Sequence, residues 1–140
     1  MLVGKRIAIL AEEGFEDSEL VEPLRAMKDA NARVVVVGSD SQESYRGKRG
    51  TATIKVDVTA AKVSATDFDA IIVPGGYADD KMRLHQSMID LVRKAHDSGK
   101  VVAAICHGPQ LLTILLIRDR EKVNKPDARI GNNNIFWESA

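Results

Sequence analysis

The sequence predicts an α/β protein, a doubly wound, mainly parallel sheet in a three-layer α/β/α arrangement. Three observations predict it. Short apolar blocks alternate with amphipathic, helix-like stretches along the chain. The block Arg33 to Gly38 holds four consecutive valines, so this strand is apolar on both faces and asks to be covered on both, the condition of a parallel sheet. Glycine-containing turns follow two of the blocks, at Pro74-Gly75-Gly76 and at Cys106-His107-Gly108-Pro109. In doubly wound folds such turns open at the carboxyl ends of the strands, where ligands bind.

Each element follows from its residues. Ile7 to Leu10 is the first strand and runs into the polar loop Ala11 to Asp17. Pro23 is placed at the first position of a helix, with Ser18 to Glu22 as the turn leading in, because a missing amide costs nothing there. That helix is expected to reach about Ala30, and Asn31 can take the left-handed cap conformation. Ser39 to Gly50 reads as a loop or hairpin. Beyond it Ile54, Val56 and Val58 alternate with Thr53, Lys55 and Asp57, a strand with one wet face. Ala70 to Val73 is the fourth strand. Ser87 with Asp90 has the spacing of a capping box, and Met88, Leu91, Val92 and Ala95 form one apolar helical face that Gly99 ends. Val101 to Ile105 is the fifth strand, followed after Pro109 by the apolar helical run Leu111 to Ile117.

A chain of 140 residues is expected to form one domain, and equal numbers of basic and acidic side chains, 20 of each, remove the bulk attraction for phosphate that a nucleic-acid binder needs. The lone Cys106 cannot form an internal disulfide, and without clustered histidines it cannot complete a zinc site. A reducing, cytoplasmic setting is expected, because the apolar start is interrupted by Glu12 and Glu13 and no stretch is long enough for a bilayer. No phosphate loop or dinucleotide fingerprint occurs, so no nucleotide cofactor is indicated, and His85 and His96 read as structural rather than as metal ligands.

Ala104-Ile105-Cys106-His107-Gly108 has the layout of a nucleophile elbow, with small residues two before and two after the reactive one. Just ahead of a helix, Cys106 would meet unpaired amides and the positive helix end, which favour its thiolate. A single cysteine also serves often as a small buried hydrophobe. His107 is a candidate general base that needs another group to orient it. The amides of Gly76 and His107 can together form an oxyanion hole for the adduct of a thiolate and a carbonyl. Glu16 lies in the loop after the first strand and can reach the same rim. Ionised, it would raise the thiol pKa; protonated, it could donate to the thiolate and lower it. Glu12, Glu13, Asp17 and Glu19 share that acid-rich loop, and sequence physics does not choose among them.

The stretch Ala104 to Leu112 resembles the DJ-1/PfpI superfamily, in particular its PfpI-like intracellular peptidase and stress-protein branch. So do Gly14-Phe15-Glu16-Asp17 with Glu19-Leu20, Phe68-Asp69-Ala70 leading to Val73-Pro74-Gly75-Gly76, and Tyr77-Ala78 ahead of Asp80 to Leu84. The resemblance covers about residues 3 to 116. It implies a flavodoxin-like fold with Cys106 as nucleophile, His107 as its partner, Glu16 as the carboxyl contacting the cysteine, and the amides of Gly76 and His107 as oxyanion hole. It also implies that Asp80 orients the histidine of a neighbouring subunit, so that a homo-oligomer, a dimer or hexamer, completes the triad. Members act as cysteine peptidases, as glyoxalases converting methylglyoxal to lactate, or as deglycases on glyoxal-modified protein and nucleotide. The substrate expected is therefore a small carbonyl or a glycated adduct, with peptide hydrolysis as an alternative.

The carboxyl end departs from the family pattern, which continues through a strand-rich segment and a final helix. Residues 1–116 form the expected domain and 117–140 an atypical, shortened segment of it, with a charge run from Arg118 to Lys125, an Asn132-Asn133-Asn134 loop signal, and Ile135, Phe136 and Trp137 as an apolar patch without an obvious partner. An altered reading frame is one reading of this end, and an uncovered sheet edge its expected consequence. Two further readings are a non-catalytic sensor or chaperone whose thiol oxidises to sulfinic acid, and a remnant that keeps the motif without the assembly.

Overall fold

The apolar blocks become the strands of one sheet. The computed structural model of the protein describes residues 1–40 and 42–112 and the backbone of 135–138. β1 (Arg6–Ala11) is buried from Ile7 onward, as a central strand requires. β2 (Arg33–Gly38) is the all-valine strand, and β6 (Ala70–Val73) and β7 (Val101–Ile105) match the fourth and fifth apolar blocks. With β5 (Val58–Thr59) and β8 (Ile135–Glu138) they form a six-stranded sheet in the order β5-β2-β1-β6-β7-β8, with every pairing parallel.

From β1 the chain steps outward to β2, whereas from β6 it steps the other way to β7. Crossovers are right-handed, so this reversal puts their helices on opposite faces. α1 (Asp17–Asp29) packs on β1 and β2, and α3 (Gln86–Asp97) on β6 and β7. The fold is the expected doubly wound α/β/α sheet. Its switch point falls between β1 and β6, where the loop after β1 and the Pro74-Gly75-Gly76 turn lie side by side.

Local signals were obeyed in part. Asn31 takes the left-handed conformation, φ 63°, just after α1, and Gly99 does so, φ 69°, after α3. Met88, Leu91, Val92 and Ala95 are buried on α3 as expected. The single strand expected at 54–58 is split: β4 (Thr53–Lys55) turns back on β3 (Ser44–Arg46) as an antiparallel hairpin, and only β5 joins the main sheet. The alternation survives the split, because Thr53, Lys55 and Asp57 are exposed and Ile54, Val56 and Val58 half-buried.

Two helix starts differ from expectation. α1 opens at Asp17, not at Pro23, which stands inside the helix. Asp17 and Glu19 in the first turn complement the positive helix end, and burial of Asp17 and Leu20 fixes that turn, which outweighs the single helical bond Pro23 cannot make. α3 opens after His85 rather than Ser87, with no side-chain cap; Asp90 instead accepts from Gln86 Nε2 at 2.9 Å and from Arg93. The expected run Leu111 to Ile117 is helical at 109–112; its later residues lie outside the described ones, as do the charge run at 118–125 and the asparagines at 132–134. The backbone of the Ile135 to Trp137 patch does find a partner, pairing with β7 at the edge expected to stay open. Among the described residues no helix is long and apolar enough to cross a membrane.

Asp17 ties the hairpin to the sheet. Its carboxylate accepts from the amides of Arg49 (3.1 Å), Thr51 (3.1 Å) and Ala52 (2.8 Å) and from the Thr51 hydroxyl, which together fix the hairpin tip over the start of α1. The Thr51 hydroxyl first, then these amides, hold the Asp17 carboxyl below the usual aspartate range. A depressed folded-state pKa stabilises the fold above the ordinary value, and that contribution is lost as pH falls through the folded one. Asp17→Ala should therefore speed amide exchange at Arg49, Thr51 and Ala52 by about tenfold or more, from loss of these bonds. The same amides in the unaltered protein should lose protection on acidification before the sheet does, as hydrogen-exchange NMR will show.

Candidate active site

Three chain segments meet at the switch point, and hydrogen bonds fix each to the next. The loop after β1 is held on one side by the hairpin, through Gly14 N–H to the Arg46 carbonyl (2.8 Å) and Lys48 N–H to that of Phe15 (2.8 Å). On the other side Glu16 N–H donates to the Gly75 carbonyl (3.0 Å), and Tyr77 N–H to that of Gly14 (2.8 Å). Backbones this close leave no room for side chains. A Cβ on Gly76, where φ is 93°, would sit 2.4 Å from the Glu16 nitrogen. One on Gly75 would sit 2.9 Å from the Ile105 carbonyl oxygen and 3.0 Å from the His107 nitrogen, so the glycine turn also abuts the elbow.

The elbow itself has the expected form. Cys106 takes φ 52°, a left-handed conformation that costs a non-glycine residue about 1–2 kcal/mol. The bend is closed by Gly108 N–H to the Ile105 carbonyl at 2.8 Å, and a Cβ on Gly108 would lie 2.5 Å from the Val73 carbonyl oxygen. Pro109 then opens a helix. The thiol is free and half-buried, neither sealed in the core nor fully in solvent. The amides of Gly76 and His107 donate to no acceptor among the described residues.

The carboxyls separate by environment. Glu16 is buried, with its two oxygens 2.6 Å from Arg49 Nε and 2.6 Å from Lys48 Nζ. The hydrogen bond from Arg49, then that from Lys48, holds its carboxyl below the usual range, so of the two states weighed from the sequence it takes the ionised one. Its partners are cations of the hairpin tip rather than the thiol. Glu19 is the acid beside the elbow: its Oε2 accepts from the Gly75 amide at 2.9 Å. The same oxygen would lie 2.6 Å from a Cβ on Gly75, a point 3.0 Å from the His107 nitrogen. The sequence leaves Glu19 undistinguished among the acids of this loop, with residues 18–22 in a turn, and the resemblance points to Glu16. With α1 starting at Asp17, Glu19 falls in the first helical turn and gains a fixed direction.

Beside the elbow lies a cleft of about 240 Å³, lined by Lys48, Gly76, Tyr77, Asp79, Asp80, His107 and Gln110. The His107 side chain is exposed, and its Nδ1 lies 3.3 Å from Gln110 Nε2. The Lys48 ammonium stands over the Tyr77 ring, 5.4 Å from its centroid. The two acids belong to α2 (Ala78–Met82): Asp80 is exposed and paired with Arg83, whereas Asp79 is buried with an unpartnered Oδ2. Burial first, then the Asp80 charge, pushes the Asp79 carboxyl up from its ordinary value. The other histidines lie on α3 or at its start, His85 with Nε2 3.7 Å from Glu12 and His96 buried with Nδ1 3.5 Å from Asp97. Among the described residues no three His, Cys, Asp or Glu side chains are placed to hold a metal.

Several known proteins are similar to this chain. General stress protein 18 of Bacillus subtilis is 39% identical over 110 residues, 79% of this chain and 64% of its own length, so the chain spans a little under two thirds of that protein. Deglycase PH1704 of Pyrococcus horikoshii is 34% identical over 138 residues, 96% of this chain and 82% of its own. Among solved structures, a two-domain protein of Anabaena variabilis with DJ-1/ThiJ/PfpI-like and ferritin-like domains superposes with a TM-score of 0.81 at 35% identity, over 96% of this chain and 43% of that one. The family model that matches is that of the DJ-1/PfpI family, over residues 5–123. That span contains the β1 loop, the glycine turn and the cysteine elbow, and the chain belongs to the DJ-1/PfpI family.

Proposed function

We propose that the protein is a Cys106-dependent enzyme that adds its thiolate to the carbonyl of a small dicarbonyl compound or a glycated adduct, as a glyoxalase or deglycase does. The observation that carries this reading is the free, half-buried thiol in a left-handed bend, with two unused amides, of Gly76 and His107, beside it. The relative named a deglycase supports it. A cleft of about 240 Å³ suits a small substrate better than an extended peptide.

The chemistry follows from the groups present. Cys106 loses its proton to His107, and the thiolate attacks the carbonyl carbon, forming a C–S bond while the carbonyl electron pair moves to oxygen. The Gly76 and His107 amides stabilise that oxyanion. Glu19 acts as the carboxyl facing the thiol. Its Oε2 is occupied by the Gly75 amide, which leaves Oε1 as the oxygen to face the sulfur. Glu16 serves the scaffold, holding Lys48 and Arg49. Asp80, exposed beside Arg83, is suited to reach the histidine of a neighbouring subunit in a homo-oligomer.

Lactate formed from methylglyoxal should fall by about 10³-fold or more in Cys106→Ala. Equal rates in the two proteins would overturn the proposal. The rate of Cys106 alkylation by iodoacetamide against pH separates the two acids. Glu19→Gln removes the carboxyl beside the elbow and should move the midpoint, whereas Glu16→Gln should leave it in place. A midpoint that moves only in the Glu16 variant would reassign the role to Glu16.

A further inference from the structure

Adjacent acids on α2 have opposite surroundings. Asp80 is exposed and satisfied by the Arg83 guanidinium. Asp79 is 1% exposed, and its Oδ2 is buried with no hydrogen-bond partner among the described residues. Leaving a buried carboxyl oxygen unpaired is costly, so its persistence calls for a partner that the resting site does not supply. The cleft that Asp79 lines offers few candidates. The Lys48 ammonium is held by Glu16 at 2.6 Å. Arg83, outside the cleft lining, is held by Asp80 through Nη2, and its Nε is buried with no partner among the described residues. Tyr77 and Gln110 carry no charge. Among the described residues that line the cleft there remains His107, whose positive form no carboxylate in the cleft engages and whose charge favours ionised Asp79.

We propose that Asp79 is a positioning residue for His107 within the same chain: its buried carboxylate, open at Oδ2 and sharing the cleft with the imidazole, favours the imidazolium that forms when His107 takes the thiol proton. The proton leaves Cys106 Sγ and arrives at a ring nitrogen of His107; no bond to Asp79 changes. Gln110 Nε2, 3.3 Å from Nδ1, also contacts the ring. The Asp79 role rests on the proposed pairing of Cys106 with His107 and gives each subunit its own orienting acid, whatever Asp80 contributes to a neighbour.

The test is the pH titration of the His107 ring proton by NMR in the full chain, assigned with His107→Gln. The charged and titratable groups around it, Asp80 on α2, Lys48 on the hairpin tip, Glu19 on α1 and Cys106 on the elbow, are unchanged in the variants. Asp79→Asn keeps the shape and removes the charge, and should lower the His107 midpoint by about half a unit or more; Asp79→Glu should restore part of it. A midpoint that does not move in Asp79→Asn overturns the proposal, since a merely structural role would leave it where it is. Repeating the titration in Cys106→Ala isolates this outcome from any failure of the thiol chemistry. Because burial raises the Asp79 pKa, the folded state loses stability as pH rises through and beyond the ordinary aspartate range. Asp79→Asn should accordingly melt above the unaltered protein at pH 7, with the difference shrinking toward pH 3. If the Asn variant folds poorly, Asp79→Ser gives the same NMR reading.

Discussion

The site depends on backbones that touch where side chains would ordinarily stand. The turn at Gly75 and Gly76 lies against the β1 loop on one side and the cysteine elbow on the other, while Gly108 lies against the end of β6, and at none of the three is there room for a Cβ. This contact follows from the topology. β1 and β6 are parallel neighbours at the switch point, β7 is next to β6, and their carboxyl ends leave the sheet together. Three loops then compete for the space above three adjacent strands, and glycine is the residue that lets them pass. The left-handed bend at Cys106 is the complementary half of the arrangement. A bend costing about 1–2 kcal/mol persists because the strand before it and the helix after it are both anchored in the core, Ala104 and Leu111 being buried.

A second layer of control comes from the β3–β4 hairpin, outside the main sheet. Asp17 holds the hairpin tip by its backbone, and the tip in turn holds Glu16 by the Lys48 and Arg49 side chains. Neighbouring acids on the chain thus face the same tip with different tasks, one binding amides and the other cations. Their satisfaction leaves Glu19, one turn into α1, as the acid directed at the glycine turn. Phe15 lies fully buried between these charged residues and the strand ends, which keeps the loop from drifting off the sheet.

Elements whose pattern is dictated by burial were legible from sequence. The bounds of β2, β6 and β7 agree with their apolar blocks, because each block is uninterrupted and ends at polar or turn residues; β2 and β6 are largely buried on both faces, whereas β7 alternates buried with half-buried residues. The cysteine elbow was legible for a different reason, the small residues its bend demands. Helix starts were not. Pro23 signals a first helical position, yet tertiary burial of Leu20 and the charge of Asp17 and Glu19 moved the start of α1 back by six residues. That displacement hid Glu19, since a carboxyl in an undefined turn has no direction. Asp79 was hidden too: nothing in Tyr77-Ala78-Asp79-Asp80 distinguishes a buried acid from an exposed one, and only the packing of α2 does. The sixth strand, β8, was illegible because its partner β7 lies about thirty residues earlier in the chain, a pairing no local pattern encodes.

The charges around the cleft also constrain how a thiolate can exist there. The cations of the hairpin tip and at the end of α2 are already engaged, Lys48 and Arg49 by Glu16 and Arg83 by Asp80. In the proposed mechanism these three cations are therefore not what favours an ionised sulfur or the oxyanion of an adduct. Beside the His107 imidazolium and the Glu19 carboxyl, the proposed mechanism relies on dipoles, the amides of Gly76 and His107, unused among the described residues, and the start of the helix at Pro109, and these are held in place by the same contacts that exclude Cβ atoms. Dipoles stabilise only from a fixed direction, so moving the glycine turn by a few tenths of an ångström weakens them without touching any charged residue. The requirement for glycine at 75, 76 and 108 and the chemistry at Cys106 are on this account one constraint seen from two sides.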